Sequence, residues 1–180
     1  MRVIAGSMGG RRLKAPPGRR TRPTSERVRE ALFSMLGPIT AAGVLDLFAG
    51  TGALGIEALS RGAAGAVFVE RDPSALAILR ENLAALSLPS QLAEVRRGDA
   101  LAALRSARER EETYDLVFID PPYDRAGDLG PRLTELLPPL LAPGALVVVE
   151  QDRRAPLALE LQVDRQRRYG DTSITIHRHQ

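Results

Sequence analysis

The sequence predicts a doubly wound α/β domain built on a mostly parallel sheet. Three observations carry that expectation. Five short strand-like runs alternate with helical stretches, the arrangement that buries a parallel sheet between layers of helices. The first run passes into Gly50-Thr51-Gly52-Ala53-Leu54-Gly55, a G-x-G-x-x-G spacing that lets backbone approach a nucleotide-type ligand. Further runs end in carboxylates, Glu70 and Asp120 among them.

In chain order, residues 1–14 read as a hairpin, with Met1–Ala5 and Arg11–Lys14 flanking Gly6-Ser7-Met8-Gly9-Gly10. Ala15 to Pro23 holds three prolines and a basic cluster and reads as an exposed loop. Thr24 is the expected N-cap of a helix from Ser25 to Leu36, stopped by Gly37-Pro38. Val28, Ala31, Leu32, Met35 and Leu36 share its apolar face, with Glu26, Arg29 and Glu30 expected outward. The core strands are Val44–Phe48, Ala66–Glu70, Ala93–Arg97, Leu116–Asp120 and Ala145–Glu150. Between them, Ala53 to Ser60 is helical and closed by Arg61-Gly62, and the helix after Asp72-Pro73 aligns Leu76, Leu79, Leu83 and Leu86. Pro138-Pro139 should break the leucine-rich segment 129–141 near Leu137. In the tail, Leu157–Val163 and Ser173–His177 alternate as strands around the turn Tyr169-Gly170-Asp171. No internal repeat is visible. The chain divides into a basic extension, residues 1–40, and a larger α/β unit, residues 41–180.

At 180 residues the chain can bury a substantial core. It has no cysteine, which excludes disulfides, thiolate metal sites and methylation chemistry that depends on a cysteine nucleophile. No apolar run approaches a membrane span, and arginines and glycines stand where a signal peptide needs an apolar stretch, so a cytoplasmic protein is expected. Charge is segregated. Residues 1–30 carry nine basic groups against Glu26 and Glu30, whereas residues 31–180 carry sixteen basic and twenty acidic groups. A basic arm on a mildly acidic body is the footprint of a nucleic-acid binder, or else a solvated surface. His177 and His179 form a pair without a third ligand, so no metal site is expected and a solvated tail is the simpler reading.

Asp120-Pro121-Pro122-Tyr123 closes the strand Leu116–Ile119. Two prolines stiffen the backbone and bias Asp120 towards extended geometry. The Asp120 carboxylate and a neighbouring carbonyl can then accept from one exocyclic amino group, with Tyr123 as a stacking face. A Pro-Pro turn with a core tyrosine is the alternative. Asp46 is a carboxylate in an apolar strand, which demands either a ligand or an ion-pair partner. Glu70, eighteen residues past Gly52, suits ribose hydroxyls.

Asp46-x-Phe48-x-Gly50-x-Gly52 followed by Asp120-Pro121-Pro122-Tyr123 resembles the amino-group methyltransferases that use S-adenosylmethionine. Arg2-Val3-Ile4-Ala5-Gly6, Gly10-Arg11-Arg12-Leu13, Arg22-Pro23-Thr24 and Arg27 to Phe33 resemble one branch, the RsmD-type 16S rRNA guanine-N2 methyltransferases, and Arg168 to Thr172 is in keeping with it. The resemblance spans nearly the whole chain. It implies a class I methyltransferase (Rossmann-like) sheet with a C-terminal antiparallel hairpin and an N-terminal hairpin-plus-helix extension. It also implies S-adenosylmethionine as cofactor, with Asp46 towards the methionine amino group and Phe48, Gly50 and Gly52 in the cofactor loop. Asp99 and Ala100 would meet the adenine, although Asp99 also suits a plain helix N-cap. Asp120, Pro121, Pro122 and Tyr123 become the catalytic set, and Arg11, Arg12, Arg19, Arg20, Arg22 and Thr24 the RNA contacts. The implied partner is 16S rRNA in an assembled or partly assembled small subunit. A DNA adenine-N6 methyltransferase and a non-catalytic RNA-binding module are the rival readings. The first usually needs a recognition insert that is absent here, and the second needs none of Asp46, Glu70 and Asp120.

Overall fold

The structure, a computed structural model, describes residues 1–16, 26–122, 126–152 and 157–180, with backbone only for 126–128 and Asp152. Its seven-stranded sheet has the order β3-β2-β1-β4-β5-β7-β6. The strands are β1 Gly43–Asp46, β2 Gly65–Glu70, β3 Ala93–Arg97, β4 Tyr114–Ile119, β5 Leu141–Asp152, β6 Gln162–Tyr169 and β7 Thr172–Arg178. The first five are parallel, and β7 runs antiparallel to both β5 and β6. The helices are α1 Glu26–Leu36, α2 Ala53–Ser60, α3 Pro73–Ala85, α4 Ala100–Glu109 and α5 Ala126–Leu136. The chain winds outward from β1 to β3, then returns to place β4 on the other side of β1. That reversal opens a crevice at the carboxyl ends of β1 and β4, where open α/β sheets bind ligands.

Strand alternation divides the core in two. Val44, Phe68, Leu116, Phe118, Val148, Ile174 and Ile176 face α1, α2 and α3, with Phe33 against Phe118 at 5.9 Å between ring centroids. Leu45, Val69, Val117, Ile119, Val147 and Val149 face α4 and α5. Helix starts follow local chemistry. Asp72 accepts from the Ala75 N–H at 2.8 Å with Pro73 in the first turn, and Asp99 accepts from the Leu101 N–H at 3.0 Å. Leu76, Leu79, Leu83 and Leu86 are all buried. α5 ends at Leu136, and Pro138–Leu140 turns as a short 3₁₀ helix. Among the described residues no helix is long and apolar enough to cross a membrane.

The N-terminal hairpin forms, with Val3 N–H to Arg11 O and Gly10 N–H to Val3 O both at 2.9 Å. It is stitched to the body by polar side chains. Glu57, fully buried, accepts from Ile4 N–H at 2.7 Å and Ala5 N–H at 3.0 Å, and pairs with Arg61 at 2.7 Å. The Ser60 hydroxyl donates to Ala5 O and accepts from Met8 N–H. Val3 and Leu13 join the same core as α1.

Three expectations need correction. Arg29 does not point outward. It is fully buried and donates to Arg2 O at 2.6 Å and Ala53 O at 3.5 Å, so a charge on the helix face serves the hairpin rather than solvent. The outer strand of the terminal hairpin is Gln162–Tyr169, not Leu157–Val163. Leu157 and Leu159 alternate because they bury against the α4–α5 core, while β6, at the sheet edge, has almost no apolar signature. His177 is 4 % exposed rather than solvated, because β7 lies between β5 and β6, and its Nδ1 is 3.0 Å from Leu161 O. The expected N-cap Thr24 lies outside the described residues.

Removing Glu57 leaves buried amide donors and Arg61 without their acceptor. Glu57→Ala is expected to lower stability by about 3 kcal/mol, read as a lower urea midpoint. A midpoint within experimental error of the parent would show that the hairpin is held by apolar contact alone.

Candidate active site

Register decides which residues meet at the crevice. Asp46 pairs with Phe68 on one side and Phe118 on the other, and Phe118 pairs with Val148. Two residues further along each flanking strand stand Glu70, Asp120 and Glu150. Because side chains alternate with period two, all four carboxylates project from the face that carries Phe68 and Phe118. Glu70, Asp120 and Glu150 are level, and Asp46 sits one step below between β2 and β4.

Beyond β1 the chain folds over this row. Leu47 N–H reaches Phe118 O and Ala49 N–H reaches Val69 O, each at 3.0 Å, and Gly52 N–H closes on Ala49 O at 2.7 Å. Gly50 and Gly52 have φ of 53° and 86°, a left-handed turn that suits glycine. A Cβ on Gly52 would strike Leu79 and one on Gly55 would strike the Phe68 ring, whereas at Gly50 it would meet nothing within 4 Å. The loop is thus packed on its inner side and bare where it faces outward.

Asp46 is 3 % exposed and accepts from the Gly55 N–H at 3.0 Å. Burial pushes its carboxyl up to about 7; the Gly55 bond opposes the rise and Glu70 adds to it. Asp120 is half-buried, and burial followed by Glu150 and Asp46 holds it well above the usual carboxylate range. Glu70 accepts from Gly50 N–H at 2.7 Å through one oxygen, and from Arg71 and Asp72 N–H at 2.8 and 2.7 Å through the other. Gly98 N–H binds Glu70 O at 3.1 Å, which brings Asp99 and Ala100 beside it. Asp99 caps α4, so the helix-cap alternative is realised, and Ala100 is buried. Phe48 is half-buried, Pro121 is buried and Pro122 exposed. Among the described residues no three His, Asp or Glu groups converge to hold a metal ion.

The arginines are distributed differently. Arg11 donates to Ala85 O at 2.7 Å, satisfying a carbonyl at the end of α3, and Arg12 is exposed. Tyr123, Arg19, Arg20, Arg22 and Thr24 lie outside the described residues. Two participants escaped sequence reasoning. Glu150 had a signal, since its strand ends in a carboxylate as β2 does. Asn82, 2 % exposed, accepts from Lys14 N–H at 2.7 Å and donates to Lys14 O and Thr51 O at 3.1 and 3.0 Å. It ties the hairpin's end to the glycine loop, and its only signal was a polar residue beside an apolar stripe.

A family profile described as "Conserved hypothetical protein 95" matches residues 1–178. YlbH of Bacillus subtilis is 42 % identical over 99 % of this chain and 98 % of that protein. Ribosomal RNA small subunit methyltransferase D of Haemophilus influenzae is 39 % identical, covering 87 % of this chain and 81 % of that protein. Among solved structures, a hypothetical protein of Thermus thermophilus shares 35 % identity over 98 % of both chains with a TM-score of 0.83. A Salinibacter ruber RNA methyltransferase in complex with S-adenosyl-L-homocysteine shares 25 % identity over 87 % of this chain and 92 % of that one, with a TM-score of 0.63.

The folded Asp46 carboxyl, at about 7, binds its proton more tightly than an unfolded one near 3.8. Its stabilising contribution is therefore full below about pH 4 and lost as pH rises through about 7. Asp46→Asn keeps the shape and can still accept from Gly55. It is expected to unfold at higher urea than the parent at pH 8, and to show a flatter stability profile between pH 4 and 7. Equal midpoints at pH 8 would mean that the carboxylate is not strained.

Proposed function

The chain belongs to the family described as conserved hypothetical protein 95, and on that premise we propose that it is an S-adenosylmethionine-dependent methyltransferase that modifies the exocyclic N2 amino group of a specific guanine in 16S rRNA. The observation that carries the reading is the row of carboxylates on one face, under a glycine loop whose outer side is bare. The names of its relatives supply the substrate class.

The residues suit a cationic, ribose-bearing cofactor. Gly50 leaves backbone uncovered where a ligand can approach, and Asp46 is a buried carboxylate whose ionisation a cation would favour. Asp46 with Phe48, Gly50 and Gly52 would hold the methionine end, Glu70 the ribose, and Asp99 with Ala100 the adenine. When bound, S-adenosylmethionine supplies a methyl group already activated as a sulfonium.

The chain's own work is positioning and charge. A guanine N2 lone pair is delocalised into the ring. Asp120 and the Pro121 carbonyl, accepting both amino hydrogens, would hold the nitrogen in a geometry that frees that lone pair and would stabilise positive charge growing on it. Asp120's raised proton affinity also suits it to receive the amino proton once the new bond has formed. Since N2 in a helix is stacked away, the target must be unpaired, with Tyr123 as its stacking face. Arg11, Arg12, Arg19, Arg20, Arg22 and Thr24 are the RNA contacts of this reading, and a small-subunit particle in the cytoplasm is its substrate.

The test is transfer of labelled methyl from S-adenosylmethionine to small subunits lacking the modification, followed by nucleoside analysis. N2-methylguanosine is expected; N6-methyladenosine, or no product, overturns the reading. Asp120→Ala should lower turnover by about 10²–10³ with cofactor affinity within a few-fold of the parent. Glu70→Ala should do the opposite, weakening cofactor binding by at least about tenfold, as loss of hydrogen bonds to a charged acceptor implies, with a smaller effect at saturation. Calorimetry with S-adenosylhomocysteine separates the two.

A further inference from the structure

β6, at the sheet edge farthest from β3, reads Gln-Val-Asp-Arg-Gln-Arg-Arg-Tyr and is exposed up to Tyr169. Residues 153–178 hold six arginines against three acidic residues, within a body whose residues 31–180 are acidic overall. Charge on an edge strand guards against strand addition, and that role alone requires no particular position.

The positions here are particular. Arg167 pairs with Ile174, which pairs with Glu150; Tyr169 pairs with Thr172, which pairs with Asp152. Directly paired residues project from the same face of a sheet. Arg167 therefore stands level with Glu150 and Asp120 on the carboxylate face, two strands from Glu150, or roughly 10 Å at ordinary strand spacing. Two neighbours confirm the face independently. Arg165 reaches Met35 O on α1, and Tyr169 packs against the α1-side core. Tyr169 stands one step beyond Arg167 at the carboxyl rim, half-buried and so held in place. The Arg165 side chain is engaged by Met35 and Asp164, whereas the Arg167 side chain has no hydrogen bond or ion pair among the described residues. Arg168, also unengaged among them, projects from the opposite face with Ser173.

We infer that the rim of the β6–β7 hairpin is a second RNA contact, in which Arg167 takes a backbone phosphate and Tyr169 stacks on a base flanking the target nucleotide. The inference rests on the methyl-transfer reading above. A guanidinium without a partner among the described residues, beside a fixed aromatic edge, is the chemistry that grips single-stranded RNA. The acidic row alone would repel the strand it must admit. Arg167 supplies positive charge on that face, at the height at which the target enters.

The experiment uses the full chain, saturating S-adenosylmethionine and unmethylated small subunits, with Arg167→Ala, Arg168→Ala, Tyr169→Phe and Tyr169→Leu beside wild type. Arg167→Ala should raise KM for the particle about tenfold, leave kcat and cofactor affinity unchanged, and reduce the log–log salt slope of binding by about 0.7–0.9. Arg168→Ala, the same charge on the other face, should alter KM less than twofold. Tyr169→Phe should match wild type, while Tyr169→Leu, which keeps apolar volume but no ring, should raise KM about tenfold at an unchanged urea midpoint. Equal losses for the two arginine variants, or equal KM for the two tyrosine variants, overturn the inference. A wild type that transfers no methyl group to the particle instead sinks the reading on which it rests, a result distinct from any ratio between variants and wild type.

Discussion

Like charge held at close quarters is the constraint around which the carboxyl edge is built. β1, β2, β4 and β5 each deliver an acid to one face, and strand register leaves those acids no freedom to separate. Burial and repulsion raise the proton affinity of Asp46 and Asp120. The surrounding backbone offsets part of this cost. Gly55 N–H points at Asp46, and the amides of Gly50, Arg71 and Asp72 point at Glu70. Two carboxyls whose proton affinity stays raised despite these donors would favour a bound cation, and that preference links the fold to the cofactor proposed for it.

Buried charge on the other side of α2 has a different meaning. Glu57 and Arg29 are as deeply enclosed as Asp46, yet their partners are backbone groups of the hairpin and of α2's first turn and, for Glu57, the Arg61 side chain as well. Glu57 is satisfied within the chain and both terminal nitrogens of Arg29 are engaged, leaving only the Arg29 Nε without a hydrogen bond among the described residues, so the two fasten rather than wait for a ligand. Asn82 belongs with them, and it also reaches the glycine loop through Thr51. The hairpin is therefore fixed to the same helices that carry the loop, and Lys14 at its end is held beside that loop.

Much of this was legible in the residues. Apolar runs at strand length, the glycine spacing and the Asp-Pro-Pro-Tyr strand end are local signals, because a β-strand's alternation and a turn's φ demand leave marks within a few residues. Their boundaries held to within about two residues for β1 through β4. Asp46, Glu70 and Asp120 were legible as carboxylates at odds with their apolar surroundings. Arg29, β6 and His177 were misread for one shared reason: each takes its environment from a segment distant in sequence. An arginine on an amphipathic helix looks solvated until a hairpin closes over it. An edge strand lacks an apolar face, and a polar strand becomes interior only when another pairs outside it.

By itself, then, the sequence determined the α/β class, the order of the elements, the glycine turn and the acids at the strand ends, since all of these follow from short-range sterics and hydrophobic periodicity. Tertiary structure alone decided that the acids share one face, with Glu70 and Asp120 level and Asp46 one step below, that Glu150 joins them, that Glu57 and Asn82 serve the hairpin, and that Arg167 and Tyr169 border the same edge. Those facts depend on register and strand order. A slip of one residue in a strand would turn its acid, or Arg167 and Tyr169, to the opposite face, and no short stretch of sequence records which slip was avoided.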